Sequence, residues 1–168
     1  MLRFLFPRLT AAPARAAALF DWVAAEARSP HWYVAGKVPD TVDGRFAMLT
    51  TVAALVMVRL EQDPGDVTSA ALTERFVDAM TAEHREMGLG DPKLGRTVRA
   101  LVGALGRRVG LWRSAVLQDD WSQAIGKSVY GADPVSDAAL SHLSGALRRL
   151  WARLEASAVA AIADGRIE

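Results

Sequence analysis

Apolar residues recur at helical rather than strand spacing along most of this chain. From about Asp43 to Glu61, the residues Phe46, Leu49, Ala53, Val56, Met57 and Leu60 share one face at intervals of three and four, which predicts a helix ended by Pro64-Gly65. Leu72, Phe76, Val77 and Met80 predict another over about Ser69 to Met87, with Gly88 as its left-handed terminator. Asp91 can then cap a long helix from about Pro92 to Leu117, so a very short joint fixes the angle between the two. Upstream, Thr10 can cap a helix ending near Ala27, where Ser29-Pro30 breaks it. Downstream, a shorter helix spans about Asp119 to Tyr130. A long last one spans about Ser136 to Ala163, carrying Leu140, Leu143, Leu147, Leu150, Trp151 and Leu154 on its stripe. The expectation is an all-α, single-domain bundle of about six helices over residues 1–168, without a linker or an internal repeat.

The Pro92 to Leu117 helix separates three kinds of residue. Leu94, Val98, Leu101, Val102, Leu105, Val109, Trp112 and Val116 fall within about 100° of arc and form the core stripe. Gly95, Gly103, Gly106 and Gly110 cluster on another face, and each costs about 1 kcal/mol relative to alanine. Close approach by another helix would offset that cost. The same segment carries Lys93, Arg96, Arg99, Arg107, Arg108 and Arg113 and no acidic residue. As a basic face it is either simply solvated or able to meet a membrane surface or ribosomal RNA by charge alone. Such contact is weak and salt-sensitive and implies no specific nucleic acid.

Composition narrows the chemistry. The chain has 168 residues, 51% of them apolar, enough for a real core, and a net charge of +1 that makes no global case for a polyanionic partner. Cysteine is absent, which excludes disulfides, thiolate metal sites and a cysteine nucleophile. Arg3, Arg8 and Arg15 without an acid in the first twenty residues suit a transit peptide or an amphipathic first helix, and the second is preferred. The longest uncharged apolar run, Phe46 to Val58, is shorter than the ~20 residues of a spanning helix.

The connector holds the densest chemistry. Ser29-Pro30-His31-Trp32-Tyr33, followed by Val38-Pro39-Asp40-Thr41-Val42-Asp43-Gly44-Arg45-Phe46, puts aromatic rings, carboxylates and an arginine in a loop that opens onto an apolar helix. Elaborate loops usually carry function. Aromatics, Met and Arg are enriched at interface centres while Asp and Glu are depleted. Trp32, Tyr33, Arg45, Phe46, Arg85 and Met87 are therefore the candidate contact residues of a groove, and Asp40, Asp43, Glu86 and Asp91 its candidate scaffold.

Those connector residues, with Arg85-Glu86-Met87-Gly88-Leu89-Gly90-Asp91, Gly95-Arg96 and Gly106-Arg107, resemble the ubiquinol-cytochrome c chaperone family, over about Leu19 to Leu117. The resemblance implies an all-helical fold and an assembly factor that binds newly made cytochrome b apoprotein rather than an enzyme. It implies no cofactor. It also implies work beside the inner membrane, on the cytoplasmic side in a bacterium or the matrix side in a mitochondrion, with a small partner protein or by self-association. Acidic residues usual in the family are replaced here by Ala47, Ala79 and Thr81, and an aromatic usual after Gly-Arg is shifted to Trp112.

Other motifs carry little. Gly126-Lys127-Ser128 lacks the earlier glycine of a phosphate loop, since position 121 is Trp121. Gly88 and Gly90 have the wrong spacing for a dinucleotide fingerprint. His31, His84 and His142 stand at no metal-ligand spacing, so a solvated or structural role is the reading, and no serine elbow occurs. An interaction scaffold for another membrane complex, or a carrier of an apolar ligand or lipid, are the alternatives. A carrier predicts an enclosed pocket of roughly 300 to 1,000 Å³, whereas a chaperone predicts an open groove beside Trp32 and Tyr33.

Overall fold

The helix Val42–Leu60 is buried on nearly every side, and the fold is assembled around it. The computed structural model describes residues 16–63, 67–86, 91–131 and 134–167, with the side chains of 84 and 91–94 also outside the description. In chain order the elements are α1 (Ala17–Ala27), α2 (Pro30–Val34), α3 (Val42–Leu60), α4 (Thr68–Glu86), α5 (Asp91–Gln118), α6 (Trp121–Ile125), a π-helical turn (Gly126–Tyr130), α7 (Asp137–Ala156) and α8 (Val159–Ala163). Among the described residues every regular element is helical.

The periodicity of α3 predicts one buried face. The structure buries more, including Ala47, Thr50, Thr51, Val52, Ala54, Leu55 and Val58. A helix that is apolar all round belongs inside, and α1, α4, α5, α7 and the π turn all pack against this one. α5 makes the most extensive of these contacts, through the stripe of Leu105, Val109, Trp112 and Ala115.

The three long helices of the expected centre begin and end within one residue of expectation, because their apolar spacing is strong. Three details differ. The connector contains the short helix α2. The element before Gly131 widens from α to π at Gly126. The expected last helix breaks at Ser157, whose backbone is extended and whose Oγ donates to the Arg153 carbonyl at 2.8 Å. Arg59 covers the free end there, donating from Nε to Leu154 O at 3.1 Å and from Nη2 to Ser157 O at 3.2 Å. The Thr10 cap, the Pro64-Gly65 stop and the Met87 to Gly90 joint lie outside the described residues.

The glycine face of α5 is corrected by the structure. A side chain at Gly106 or Gly110 would have nothing within 4 Å, and one at Gly95 or Gly103 would meet only the guanidinium of Arg99 or Arg107. No helix approaches them among the described residues. Gly106→Ala and Gly110→Ala should therefore each stabilise the protein by about 1 kcal/mol, since only the backbone cost of helical glycine is removed. Urea denaturation checks this: a lower midpoint in either variant would mean that something packs on this face.

Candidate functional site

The connector is held from beneath by side chains that close backbone groups. Trp32 is 1% exposed and its Nε1 donates to Glu26 O at 2.8 Å; Tyr33 Oη donates to Ala27 O at 2.8 Å. Both carbonyls belong to the last turn of α1, where backbone acceptors are unpaired. Trp32 O in turn accepts from Val38 N at 3.1 Å, and Val38 is buried. Tyr130 of the π turn donates its hydroxyl to Gly36 O. Thr41 caps α3 by accepting from Gly44 N at 3.2 Å, with Gly44 pressed on the Pro39 carbonyl.

What this frame displays is an apolar pair beside charges. Val34 and Val42, at the two ends of the connector, are 67% and 81% exposed. Arg45 Nε donates to Asp40 Oδ1 at 2.7 Å, and that bond lowers the Asp40 pKa and raises that of Arg45. Both side chains are largely exposed, so the pair orients Arg45 more than it stabilises the fold. Tyr33 is half-buried, and burial raises its pKa.

The structure redistributes the expected contact residues. Trp32 has no surface to offer and joins the scaffold. Tyr33, Arg45 and the half-buried Phe46 remain at or near the surface, Phe46 with its ring 6.3 Å from that of Phe76. Asp40 holds Arg45 as a scaffold residue should, whereas Asp43 is an exposed residue of the first turn of α3. Arg85 and Glu86 are exposed in the last turn of α4, and no ion pair among the described residues ties them to the connector. Met87 and the side chain of Asp91 lie outside the description.

The basic face is also redrawn. Arg96, Arg99 and Arg107 are exposed, Arg113 is held by Glu61 through two bonds of 2.8 and 2.9 Å, and the side chain of Lys93 is outside the description. Arg108 turns inward. Its Nη2 donates to Ser128 O at 2.9 Å, its guanidinium lies 5.8 Å over the Phe46 ring, and burial, with the Arg107 charge, lowers its pKa. Its position three residues after Leu105 and four before Trp112 is the signal that places it at the edge of the core stripe.

Sequence reasoning missed Ser128 and Tyr130. Ser128 Oγ donates to Ala124 O at 2.7 Å while Arg108 draws on its carbonyl, and both interactions compete with the α-helical ladder where the helix widens to π. Lys127 bonds Gln123 at 2.8 Å. No strand precedes this turn among the described residues, which leaves the Gly126-Lys127-Ser128 run without the context of a phosphate loop.

Two surface depressions stand out, and neither borders Trp32 or Tyr33. One of about 30 Å³ lies between α5 and α6 around Leu111 and Gln123; the other, about 440 Å³, lies between α6 and α7 around Ser122, Leu140, Ser141, Ser144 and Arg148. The larger is open and polar, unlike the enclosed apolar pocket a carrier needs. The expected groove is therefore replaced by a raised, pinned surface. No helix among the described residues is long and apolar enough to cross a membrane.

Residues 35–168 match the model of the family described as ubiquinol-cytochrome C chaperone. The chain belongs to that family. The match includes the connector, α3 and everything after it. The crystal structure described as the Cbp3 homolog from Brucella abortus is 23% identical and superimposes with a TM-score of 0.78, covering 100% of this chain and 96% of that one. It shares the fold of the family member studied here. A search of curated protein sequences finds no match.

Proposed function

We propose that this ubiquinol-cytochrome c chaperone family member acts in assembly of ubiquinol-cytochrome c reductase by holding newly made cytochrome b apoprotein, without catalysis and without a cofactor of its own. The observation that carries the reading is the exposure of Val34 and Val42 on a connector that is otherwise pinned at every turn. Exposed aliphatic side chains on a rigid frame lose little entropy when an apolar segment covers them. Tyr33, Arg45 and the edge of Phe46 flank that pair, with Arg85 and Met87 as outer contacts. Asp40, Asp43, Glu86 and Asp91 then serve as scaffold, joined by Trp32.

A small partner protein or a second copy of the chain would complete the holding complex. Arg96, Arg99 and Arg107 offer a weak, salt-sensitive contact with an anionic membrane surface or the ribosome, placing the protein peripherally where its client emerges. The family description supports assembly work, and the identity of the client is the finer part of the proposal.

The test is capture from native membranes by tagged protein, comparing wild type with Val34→Asp/Val42→Asp and with Arg85→Ala, each verified as folded by circular dichroism. Wild type should recover cytochrome b, and the double variant should lose about tenfold or more, as expected when a buried apolar contact is replaced by charge. Equal capture by the double variant removes the connector as the contact surface. Absence of cytochrome b from the wild-type eluate at low salt removes the client.

A further inference from the structure

His31 and His142 are 111 residues apart in sequence, yet the fold brings His31 Nδ1 to 3.3 Å from His142 Nε2. We propose that this pair is a two-nitrogen site for a divalent transition-metal ion of the zinc class, clamping α2 to α7. The geometry carries it. A tetrahedral zinc ion binds imidazole nitrogen at about 2.0 to 2.1 Å, which sets two such ligands roughly 3.3 to 3.4 Å apart. The observed separation is that edge, so one ion can sit on both nitrogens without either helix moving.

The surroundings define what kind of site it is. Both rings are partly buried, with their centroids 5.5 Å apart at 66°, and the Trp32 ring lies 4.0 Å from that of His31. Trp32 is fixed by its bond to Glu26 O, so the His31 ring rests on an immobile wall. Two charges act on His31 from neighbouring elements: Glu26 of α1, which favours a bound cation, and Arg149 of α7, which opposes it. Glu26 is shared with Arg153 at 3.3 Å. No group of three or more histidine and carboxylate ligands exists among the described residues, so water completes the coordination shell. Two imidazoles, water and an opposing arginine make a micromolar site rather than a permanent structural one. The ligand preference is for zinc, nickel or copper over magnesium or calcium, which take oxygen. The site does not depend on the identity of the client.

The experiment titrates the full chain with zinc chloride at neutral pH, using calorimetry and histidine ring resonances. The chain has three histidines, so His84 is an internal reference. One saturable site per chain is expected, with the His31 and His142 resonances moving together while those of His84 stay. Cobalt should give the visible bands of a tetrahedral ion. His31→Gln and His142→Gln, verified as folded, should each weaken zinc binding by about tenfold or more, because one remaining imidazole cannot clamp. The resonance measurement on wild type decides the matter even where a variant fails to fold. The proposal is overturned by absence of saturable binding below millimolar zinc, by equal movement of all three histidines, or by loss of binding in only one of the two variants.

Discussion

Gly44→Ala should destabilise the protein by about 3 kcal/mol, the upper part of the range for forcing volume into a packed site. The added methyl group would overlap the Pro39 carbonyl, a backbone group with no rotamer to give. Relief requires the connector to lift. Pro39 is followed by the Thr41 cap and preceded by buried Val38, which bonds Trp32 O, so the displacement runs through three anchors. For a chain of this size about 3 kcal/mol lowers the melting temperature by roughly 6 to 12 °C. Thermal and urea melts of Gly44→Ala measure it, and a midpoint within a degree of wild type would mean that α3 slides away from Pro39 at little cost.

Trp32→Ala should cost about 3 to 5 kcal/mol, the range for deleting a buried aromatic side chain. The ring is 1% exposed, and its loss leaves the Glu26 carbonyl at the end of α1 unpaired as well as a cavity beside His31. Trp32→Phe separates the two effects. It keeps most of the apolar volume and removes the indole N–H, so about 1 to 2 kcal/mol should remain. Urea unfolding with an unchanged slope reads both values. A contact residue would behave otherwise, with stability intact and capture lost, so near-wild-type stability of Trp32→Ala would return Trp32 to the client surface.

The difference between Trp32 as contact and Trp32 as scaffold shows where sequence reading fails. The helices α3, α4 and α5 are legible to within a residue because their apolar positions repeat over many turns. α2 has five residues, too few for a period to register, and its aromatic residues read as surface because loops usually are. Arg108 is half-legible: its spacing from Leu105 and Trp112 points inward, while its neighbour Arg107 suggests a solvated face. The pairing of His31 with His142 is illegible in principle, since α2 and α7 meet only through the tertiary fold. The glycines of α5 predict a close neighbour by the usual logic of small residues, and the structure leaves that face open.

The exposed valines were not legible either. Both flank the connector, where an apolar residue is read as core unless the fold is known. Their exposure is what turns an elaborate loop into a candidate surface.

α1 rests on α8, and the two lie at opposite ends of the described chain. Gly165 sits against the Ala18 carbonyl, Arg153 reaches from α7 to Ile167 O at 3.1 Å and to Glu26 at 3.3 Å, and its guanidinium lies 5.7 Å over the Trp22 ring. Contacts so distant in sequence pay their loop-closure entropy late, while α3, α4 and α5 can associate as neighbours. During synthesis Leu19, Trp22 and Val23 therefore stay wet until residues 159–167 have left the ribosome. A protein whose work is to shield a nascent chain is, by its own topology, in need of shielding until almost its last residues are made.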